Sequence, residues 1–417
     1  MTRHLYLVTW ILLAGILSSD SFSIERRRDP FNNPPGFLLL PTPYSLPGIG
    51  QGMFVIGSAF NMFGTPTDIS AIHFSGDAEG FFGNIRELFL WPGLLYVNTN
   101  VGNIAKYGQN VYQARGMETE KDDYSIFIGE DSSFASYEAV LTLWSRRLEV
   151  TYGTSRFAGQ FTEIRDPEGE LIQAFSEPIE SESESSFGKV EIDLTDDYDD
   201  PRMGLNGTYK VVTSPRRNTD SPDYSTVTYT GSLYIPIPED NTFVLHQFRS
   251  AAEVKEAGNT DIDAIRQANG FSDCGGEANC EAAVNATSNN QLNGNLYGTA
   301  EALGGSDRLR AYPQGRYQAA QAVLSGAEFR WNFSTKGGDL NLLFLQDSVG
   351  AMQMALFFER GSVAETEETL GEVVKDSYGM GFRVVAKSGA VYRFDLALGD
   401  EGSSFIAFFN YPWRDGF

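Results

Sequence analysis

The residue of this sequence best suited to a specific chemical task is an arginine in a turn-rich loop. Arg310 lies within Leu303–Tyr317, which reads LGGSDRLRAYPQGRY, and glycine and proline at this density predict a loop. A guanidinium is a planar fork of N–H donors that binds a carboxylate at two points and stays charged when partly desolvated. The expected chemistry is ion pairing, and the alternative is an ordinary solvated surface arginine.

Enzymatic chemistry finds little support. The sequence has three histidines, His4, His73 and His246, and neither of the last two lies near a nucleophile motif. Walker, Rossmann and HExxH patterns are absent from the sequence. We therefore expect no enzyme, no cofactor and no metal site, and interpret His73 and His246 as ordinary strand residues.

Two cysteines could form a covalent link. Five residues separate Cys274 from Cys280 in a polar segment, and in an exported chain this spacing favours a small loop disulfide over two free thiols. A zinc site needs four ligands, and no histidine lies near the pair.

The N-terminus has the layout of a secretory signal. Arg3 and His4 precede an apolar run from Leu5 to Leu17 and small polar residues ending at Ser23, so residues 1–23 are predicted to be a cleaved signal peptide. The formal net charge of -24 makes nucleic acid a poor partner. No later segment approaches twenty consecutive apolar residues, which excludes a helical membrane protein.

Beyond the signal, the chain reads as β-structure. Residues 24–50 hold six prolines and are interpreted as an extended periplasmic lead-in. The acidic, serine-rich stretch Glu177–Ser186 is interpreted as a solvated loop. The β-rich segments predicted before residue 187 are Gly52–Met62, Ile69–Ser75, Leu88–Val101, Tyr124–Gly129 and Tyr137–Tyr152.

From Phe187 onward, apolar and polar residues alternate clearly enough to assign strand faces. A soluble β-sandwich would show the same alternation, but export, strands of about ten residues and aromatic residues at strand ends favour a transmembrane β-barrel. The apolar outer face is predicted to include Val227, Leu233, Tyr392, Phe394, Phe409 and Trp413.

Two motifs resemble a known family. The run Leu309-Arg310-Ala311-Tyr312 after LGGSD is similar to the signature loop of the bacterial surface-antigen barrels, the superfamily of the assembly factors BamA and TamA and the two-partner secretion transporters. Ala311 stands where the family has glycine. A second motif, the acidic stretch Asp193–Pro201 followed by Gly204, resembles the family's turn between two central strands; the alternatives are a plain carboxylate-rich turn or a calcium loop, although the EF-hand glycine and closing glutamate are missing.

The resemblance implies a fold and an internal contact. It implies an all-β, closed antiparallel barrel of about sixteen strands over residues 51–417, with the sixth extracellular loop folded into the lumen. Glu359, in the segment ALFFERGSV, holds the place of the family's inward carboxylate. Arg310 is therefore expected to turn inward and pair with Glu359, with Tyr312 packed beside it.

The resemblance also implies a location and two candidate functions. We expect a bacterial outer-membrane protein in contact with outer-membrane lipids. The first function is assistance in inserting or translocating unfolded outer-membrane polypeptides, with a separate periplasmic partner, because the lead-in leaves no room for the family's POTRA domains. The alternative is a pore or structural surface protein that passes no polypeptide.

Overall fold

The computed structural model describes residues 31, 35–46, 50–268, 274, 277–334, 338–342, 345–386 and 389–413. The predicted signal peptide, residues 1–23, lies outside these residues, as does Phe417. Where apolar and polar residues alternate, the chain forms strands, because successive side chains of a strand point to opposite faces. The strands are β1 (Gly36–Leu46), β2 (Gly50–Met62), β3 (Thr67–Gly76), β4 (Glu79–Trp91), β5 (Leu95–Tyr112), β6 (Tyr124–Leu143), β7 (Leu148–Arg165), β8 (Leu171–Asp193), β9 (Gly204–Ser214), β10 (Asp223–Ile237), β11 (Asn241–Glu256), β12 (Gln321–Ser334), β13 (Gly338–Leu342), β14 (Leu345–Ala364), β15 (Lys375–Ala386), β16 (Val391–Gly399) and β17 (Gly402–Phe409).

The strands form one antiparallel sheet in which each segment pairs with the next along the chain, except that β12 pairs with β14 instead of β13. The short segment β13 continues β12, because both pair with β14, at Gly338↔Val349 and Gln321↔Ala364. The seventeen segments therefore occupy sixteen strand positions, as predicted. The first strand also pairs with β14, at Leu38↔Leu345, so the sheet curls round into a barrel.

The registers define two ends of the barrel. We call the end that carries the β11–β12 connection the loop end, and the opposite end, which carries the β8–β9 and β10–β11 connections, the turn end. β17 begins at the loop end, where Gly402 pairs with Gly399, and finishes at the turn end.

The outward face of the sheet is apolar and the inward face is polar. In β14, Leu356 and Phe358 are 59% and 43% exposed, whereas Gln353 and Glu359 are 0% exposed. Among the predicted outer-face residues, Phe394 is exposed and Val227 and Tyr392 are half-buried. Leu233 is buried because the leucines opposite it in β9 and β11 share its face and cover it. The side chain of Phe409 lies outside the described residues. The prediction that Trp413 lies on the outer face is wrong, because this residue is buried in the barrel interior.

Four central strands are much longer than predicted. β5 to β8 contain 18, 20, 18 and 23 residues, about twice what a membrane-spanning strand needs. Glu177–Ser186 is therefore not a loop but part of β8, in register with β7. Its charged side chains are compatible with a strand because they lie beyond the apolar band and are solvated.

The interpretation of residues 24–50 as an extended lead-in misses a strand, because β1 pairs with β2 along its whole length. Pro41 and Pro43 are two residues apart, so their ring nitrogens point to the same side, and an edge strand accepts proline on the side that faces away from its partner. Two of the predicted β-rich segments, Leu88–Val101 and Tyr137–Tyr152, each contain a hairpin turn.

Two helices lie in the long β11–β12 connection: α1 (Ile262–Ala268) and α2 (Ala278–Tyr297). Ala283 of α2 packs against Phe127 and Ile164 on the extended ends of β6 and β7. The helix therefore lies against the loop end of the barrel. None of the helices in the described ranges is long and apolar enough to cross a membrane.

Candidate functional site

The strands bring a set of charged side chains into the barrel interior. Strand alternation turns them inward, and each is at most 1% exposed: Glu328, Arg330, Glu359, Arg383, Arg393 and Asp395. Sequence reasoning identified Glu359 and missed the role of the others. The signal was present, because all six occupy inward positions of strands whose outward positions are apolar, and a charge on that face must find a partner.

The arginine loop is shaped by its glycines before any contact is made. Leu303 and Tyr317 join its two ends through paired backbone hydrogen bonds of 2.8 and 2.9 Å. Gly304 has a φ of 102°, and a Cβ there would lie 2.2 Å from the carbonyl oxygen of Pro313. Leu309 adopts a left-handed φ of 50°, which turns the chain so that the next residue points into the barrel.

Arg310 reaches carboxylates on three strands. Its Nε lies 3.1 Å from Oε1 of Glu359, and its backbone N–H donates to Oε2 of the same residue at 2.9 Å. Its Nη1 donates to Oδ2 of Asp395 at 2.6 Å and lies 3.5 Å from Glu328. Burial lowers the pKa of a guanidinium, but these carboxylates raise the pKa of Arg310 above its usual value. The arginine therefore remains charged although its side chain is fully buried.

The remaining strand arginines complete an ion-pair network. Arg383 binds Glu328 through two parallel hydrogen bonds of 2.6 and 2.7 Å, the two-point geometry that arginine favours. Arg330 donates to the same carboxylate at 2.7 Å. Arg393 instead reaches the loop, where it contacts Asp307 at 3.0 Å. The network therefore fastens two points of the loop, Asp307 and Arg310, to the wall of the barrel.

Ala311 and Tyr312 fit the wall beside Arg310. The backbone N–H of Ala311 donates to Oγ of Ser377 at 3.0 Å, and the hydroxyl of Tyr312 donates to the carbonyl of Asp376 at 3.0 Å. Ala311 needs no left-handed backbone. It faces Gly399, where a Cβ would lie 2.8 Å from the methyl group of Ala311. The glycine on the wall thus leaves the space that the methyl group of Ala311 occupies.

A second arginine of the loop, which sequence reasoning missed, is buried as well. Arg316 donates to Glu401 at 2.7 Å and to Oγ1 of Thr119 at 2.7 Å, and its guanidinium lies 4.0 Å from the ring centre of Tyr112. Glu401 lies in the β16–β17 connection and Thr119 in the β5–β6 connection. Arg316 therefore ties the loop to both of these connections at the loop end.

The segment after β17 turns into the lumen, which corrects the prediction that Trp413 faces lipid. Trp413 is 7% exposed, and its indole stacks on His246 with ring centres 5.0 Å apart. Its Nε1 donates to Oε1 of Glu359 at 2.8 Å. The strand pattern suggested continued outward alternation, but β17 ends at Phe409 and Asn410 has a left-handed φ of 65°, which reverses the chain.

The acidic turn between β8 and β9 also folds inward. Asp200 is 3% exposed and accepts hydrogen bonds from the hydroxyl of Tyr411 at 2.6 Å and from the amide of Gln353 at 3.0 Å. Arg202 pairs with Asp200 at 2.9 Å. These contacts favour a structural turn over a calcium loop, and within the described ranges no group of three or more His, Cys, Asp or Glu side chains could hold a metal ion.

The two cysteines form a disulfide, Cys274–Cys280, with Cα atoms 5.5 Å apart. Cys280 lies in the first turn of α2, and Asn290 of the same helix donates to the carbonyl of Tyr112 at 2.8 Å. The disulfide therefore fixes the start of a helix that packs on the barrel. His246 contacts Oγ of Ser232 at 2.9 Å, and His73 is exposed.

Comparison with known proteins gives similarity to solved structures alone, since neither a protein-family model nor a curated protein matches the sequence. The crystal structure of BamA from Haemophilus ducreyi lacking POTRA domains 1-3 is 10% identical, with a TM-score of 0.48 over 92% of this chain and 69% of that chain. CdiB from Acinetobacter baumannii is 10% identical, with a TM-score of 0.48 over 90% of this chain and 59% of that chain. CdiB from Escherichia coli is 11% identical, with a TM-score of 0.47 over 91% of this chain and 60% of that chain. The chain thus spans less than two thirds of the length of either CdiB.

Proposed function

We propose that this protein is an outer-membrane barrel of the BamA/TamA type that assists the insertion or translocation of polypeptides. The observation that carries the proposal is the junction between the first strand and the C-terminal third of the sheet. β1 pairs with β2 over all 11 of its residues, whereas among the described residues it meets β14 over two residue pairs, Phe37↔Gln346 and Leu38↔Leu345.

A junction this short is weak, because each ladder hydrogen bond contributes about 1 kcal/mol. β1 also carries Pro41 and Pro43, which cannot donate to a neighbouring strand. An unpaired strand edge is a template for another strand, as in binding by strand addition. The junction is therefore where a client strand could pair with the barrel.

The proposed partners follow from the two faces of the barrel. The apolar outward face suits the hydrocarbon of the outer membrane, and its exposed members include Leu356, Met380, Leu396 and Phe405. The proposed clients are unfolded outer-membrane polypeptides, delivered by a separate periplasmic partner.

A pore or structural surface protein is the alternative. The buried ion-pair network argues against a wide open pore, since Arg310, Glu328 and Asp395 are fully buried inside the barrel. A polar cavity of about 170 Å³ is lined by Trp413, among other residues, and Trp413 donates to Glu359 of the network. The form of the pore alternative that this geometry favours is therefore a narrow conduit for small ions.

The test is a covalent lock across the junction. Purified protein is reconstituted in phosphatidylethanolamine–phosphatidylglycerol liposomes, and the folding of a urea-unfolded eight-stranded outer-membrane barrel into them is followed by its heat-dependent gel shift. Leu38→Cys with Leu345→Cys, placed in a Cys274→Ser/Cys280→Ser background, should abolish acceleration when oxidised and restore it when reduced.

The matched control is Phe37→Cys with Ala59→Cys, which joins β1 to β2 without crossing the junction. Oxidation of this control should leave the acceleration unchanged. Full activity of the oxidised junction variant would exclude the junction as the site of action. Ion current without any acceleration of folding would favour the pore.

A further inference from the structure

The segment Asn410–Trp413 enters the lumen from the turn end, opposite to the arginine loop. The backbone N–H of Asn410 donates to the carbonyl of Val391 at 2.8 Å, which anchors the segment at the end of β17. Asn410 and Trp413 have left-handed φ angles of 65° and 66°. Such a backbone costs about 1 to 3 kcal/mol per residue, so interior contacts must hold the segment in place.

Trp413 occupies a seat formed by three strands. Its indole lies parallel to the ring of His246 in β11, at an interplanar angle of 4°. Gly326 in β12 lies directly against the indole, because a Cβ there would lie 2.5 Å from Cζ2 of Trp413. Glu359 in β14 accepts the indole N–H. Ring stacking, close packing and a hydrogen bond therefore all hold the indole of Trp413 in this position.

Tyr411 spans the lumen between two sides of the barrel. Its hydroxyl contacts Asp200 of the β8–β9 turn at 2.6 Å and Oε1 of Gln353 in β14 at 2.9 Å. The guanidinium of Arg330 lies 3.8 Å from the centre of its ring. The side chain is 2% exposed. Together with the inward-folded acidic turn, Tyr411 forms a bridge across the turn end.

The bridge forms one wall of the polar cavity. The cavity of about 170 Å³ is lined by Asn84, Asn100, Glu138, Lys189, Tyr411 and Trp413, among other residues. This polar volume is large enough to hold several water molecules. Removing Tyr411 and Trp413 from the wall would extend the polar space towards the turn end.

We propose that Asn410–Trp413 is an inner gate of the lumen, coupled through Glu359 to the arginine loop, and that small hydrated ions pass when it opens. The proposal does not depend on any activity towards polypeptides. Oε1 of Glu359 accepts from both Trp413 and Arg310. Withdrawal of either donor leaves a buried carboxylate short of a partner, which is costly. Because coupling between two sites is reciprocal, each closed element stabilises the other.

The first experiment measures ionic current through the full-length protein in planar bilayers. Trp413→Ala should raise the open fraction about tenfold, since a hydrogen bond to a buried charged group is lost, and Tyr411→Phe, which removes one hydroxyl, should raise it by less. The matched control is Phe405→Ala, an outward-facing change in β17 where the side chain is 61% exposed, which should leave the current unchanged. Heat-dependent gel migration checks that each variant is folded.

The second experiment tests the coupling. Arg310→Lys combined with Trp413→Phe should change the open fraction by a factor different from the product of the two single changes, because both residues use Glu359. Arg316→Lys serves as the matched loop variant, since Arg316 pairs with Glu401 instead. Combined with Trp413→Phe, it should change the open fraction by the product of the two single changes. Wild-type current in both folded gate variants, Trp413→Ala and Tyr411→Phe, would overturn the gate, and multiplicative behaviour of the Arg310 pair would overturn the coupling.

Discussion

The indole of Trp413 and the backbone of Arg310 bind opposite oxygens of one carboxylate, Glu359. Trp413 donates to Oε1 at 2.8 Å, and the backbone N–H of Arg310 donates to Oε2 at 2.9 Å. The two donors belong to segments that enter the barrel from opposite ends. A single inward glutamate on β14 thus joins the loop, the wall and the segment after β17.

Loss of the central ion pair should destabilise the barrel strongly. Arg310→Ala or Glu359→Ala should each lower the free energy of unfolding by about 3 to 5 kcal/mol, because the remaining charge stays buried without its partner. The double variant should be little worse than either single one. Urea unfolding in detergent measures all three. Arg360→Ala, which breaks a solvent-exposed pair with Asp376 at 2.7 Å, is the control and should leave the free energy of unfolding nearly unchanged. Strictly additive losses at Arg310 and Glu359 would contradict the pairing.

Filling the space that Trp413 occupies should lower the free energy of unfolding by less than loss of the central ion pair does. Gly326→Ala puts a methyl group where the indole lies, and overpacking of this kind costs about 1 to 3 kcal/mol. Gly231→Ala is the control, because a Cβ at that strand glycine meets nothing within 4 Å. Thermal unfolding compares the two variants, and equal melting temperatures would show that Trp413 does not occupy the seat.

A charge on the outward face should disturb the membrane-embedded state. Phe394 lies on β16 and is 39% exposed. Phe394→Arg should lower the free energy of unfolding by about 2 to 4 kcal/mol if this position lies near the bilayer midplane. Leu171→Arg, at the loop end of the extended strand β8, should cost far less because that site is solvated. Reversible unfolding in lipid vesicles provides the measurement, and an unchanged Phe394→Arg protein would count against a membrane barrel.

Removal of the disulfide should loosen the helical part of the long connection and leave the sheet intact. Cys274→Ser with Cys280→Ser should cost little, at the low end of about 2 to 4 kcal/mol, because the closed loop is short. Hydrogen exchange should increase in α2 while the amides of β14 stay protected. Protection of α2 equal to that of the wild type would show that packing alone orders the helix.

Acid should weaken one anchor of the loop at Glu301. Burial raises the pKa of this carboxyl, but Lys210 and Arg308 outweigh it and lower the pKa below its usual value. A depressed pKa means that the stabilisation is complete above the unfolded pKa, near 4.3, and is lost as the pH falls through the lower folded value. Glu301→Gln should flatten the stability profile below about pH 4 relative to the wild type, and identical profiles would contradict this assignment.

Local alternation was sufficient to predict much of the fold. It separated the inward positions of β12, such as Glu328 and Arg330, from the outward Trp331, and the predicted loop Leu303–Tyr317 lies between β11 and β12. These features depend on period-two patterning and on turn residues, both of which are properties of short segments.

The interior contacts could not be read from short segments. Trp413 continues the apolar alternation of β17, yet Asn410 reverses the chain and sends the indole to Glu359, which lies 54 positions earlier. The extension of β8 through Glu177–Ser186 depends on its register with β7 rather than on its own composition. Both the position of Trp413 and the length of β8 depend on residues distant in the sequence, which a local pattern cannot identify.

The order of synthesis gives the interior network a further meaning. Tyr411 and Trp413 follow β17, so neither can reach its position in the lumen until all the described strands of the sheet have been synthesised. A chain that is cut short before them would expose a buried carboxylate and an incomplete wall. Molecules that contain Tyr411 and Trp413 can complete the lumen contacts, whereas molecules truncated before them should be less stable and more readily cut by proteases.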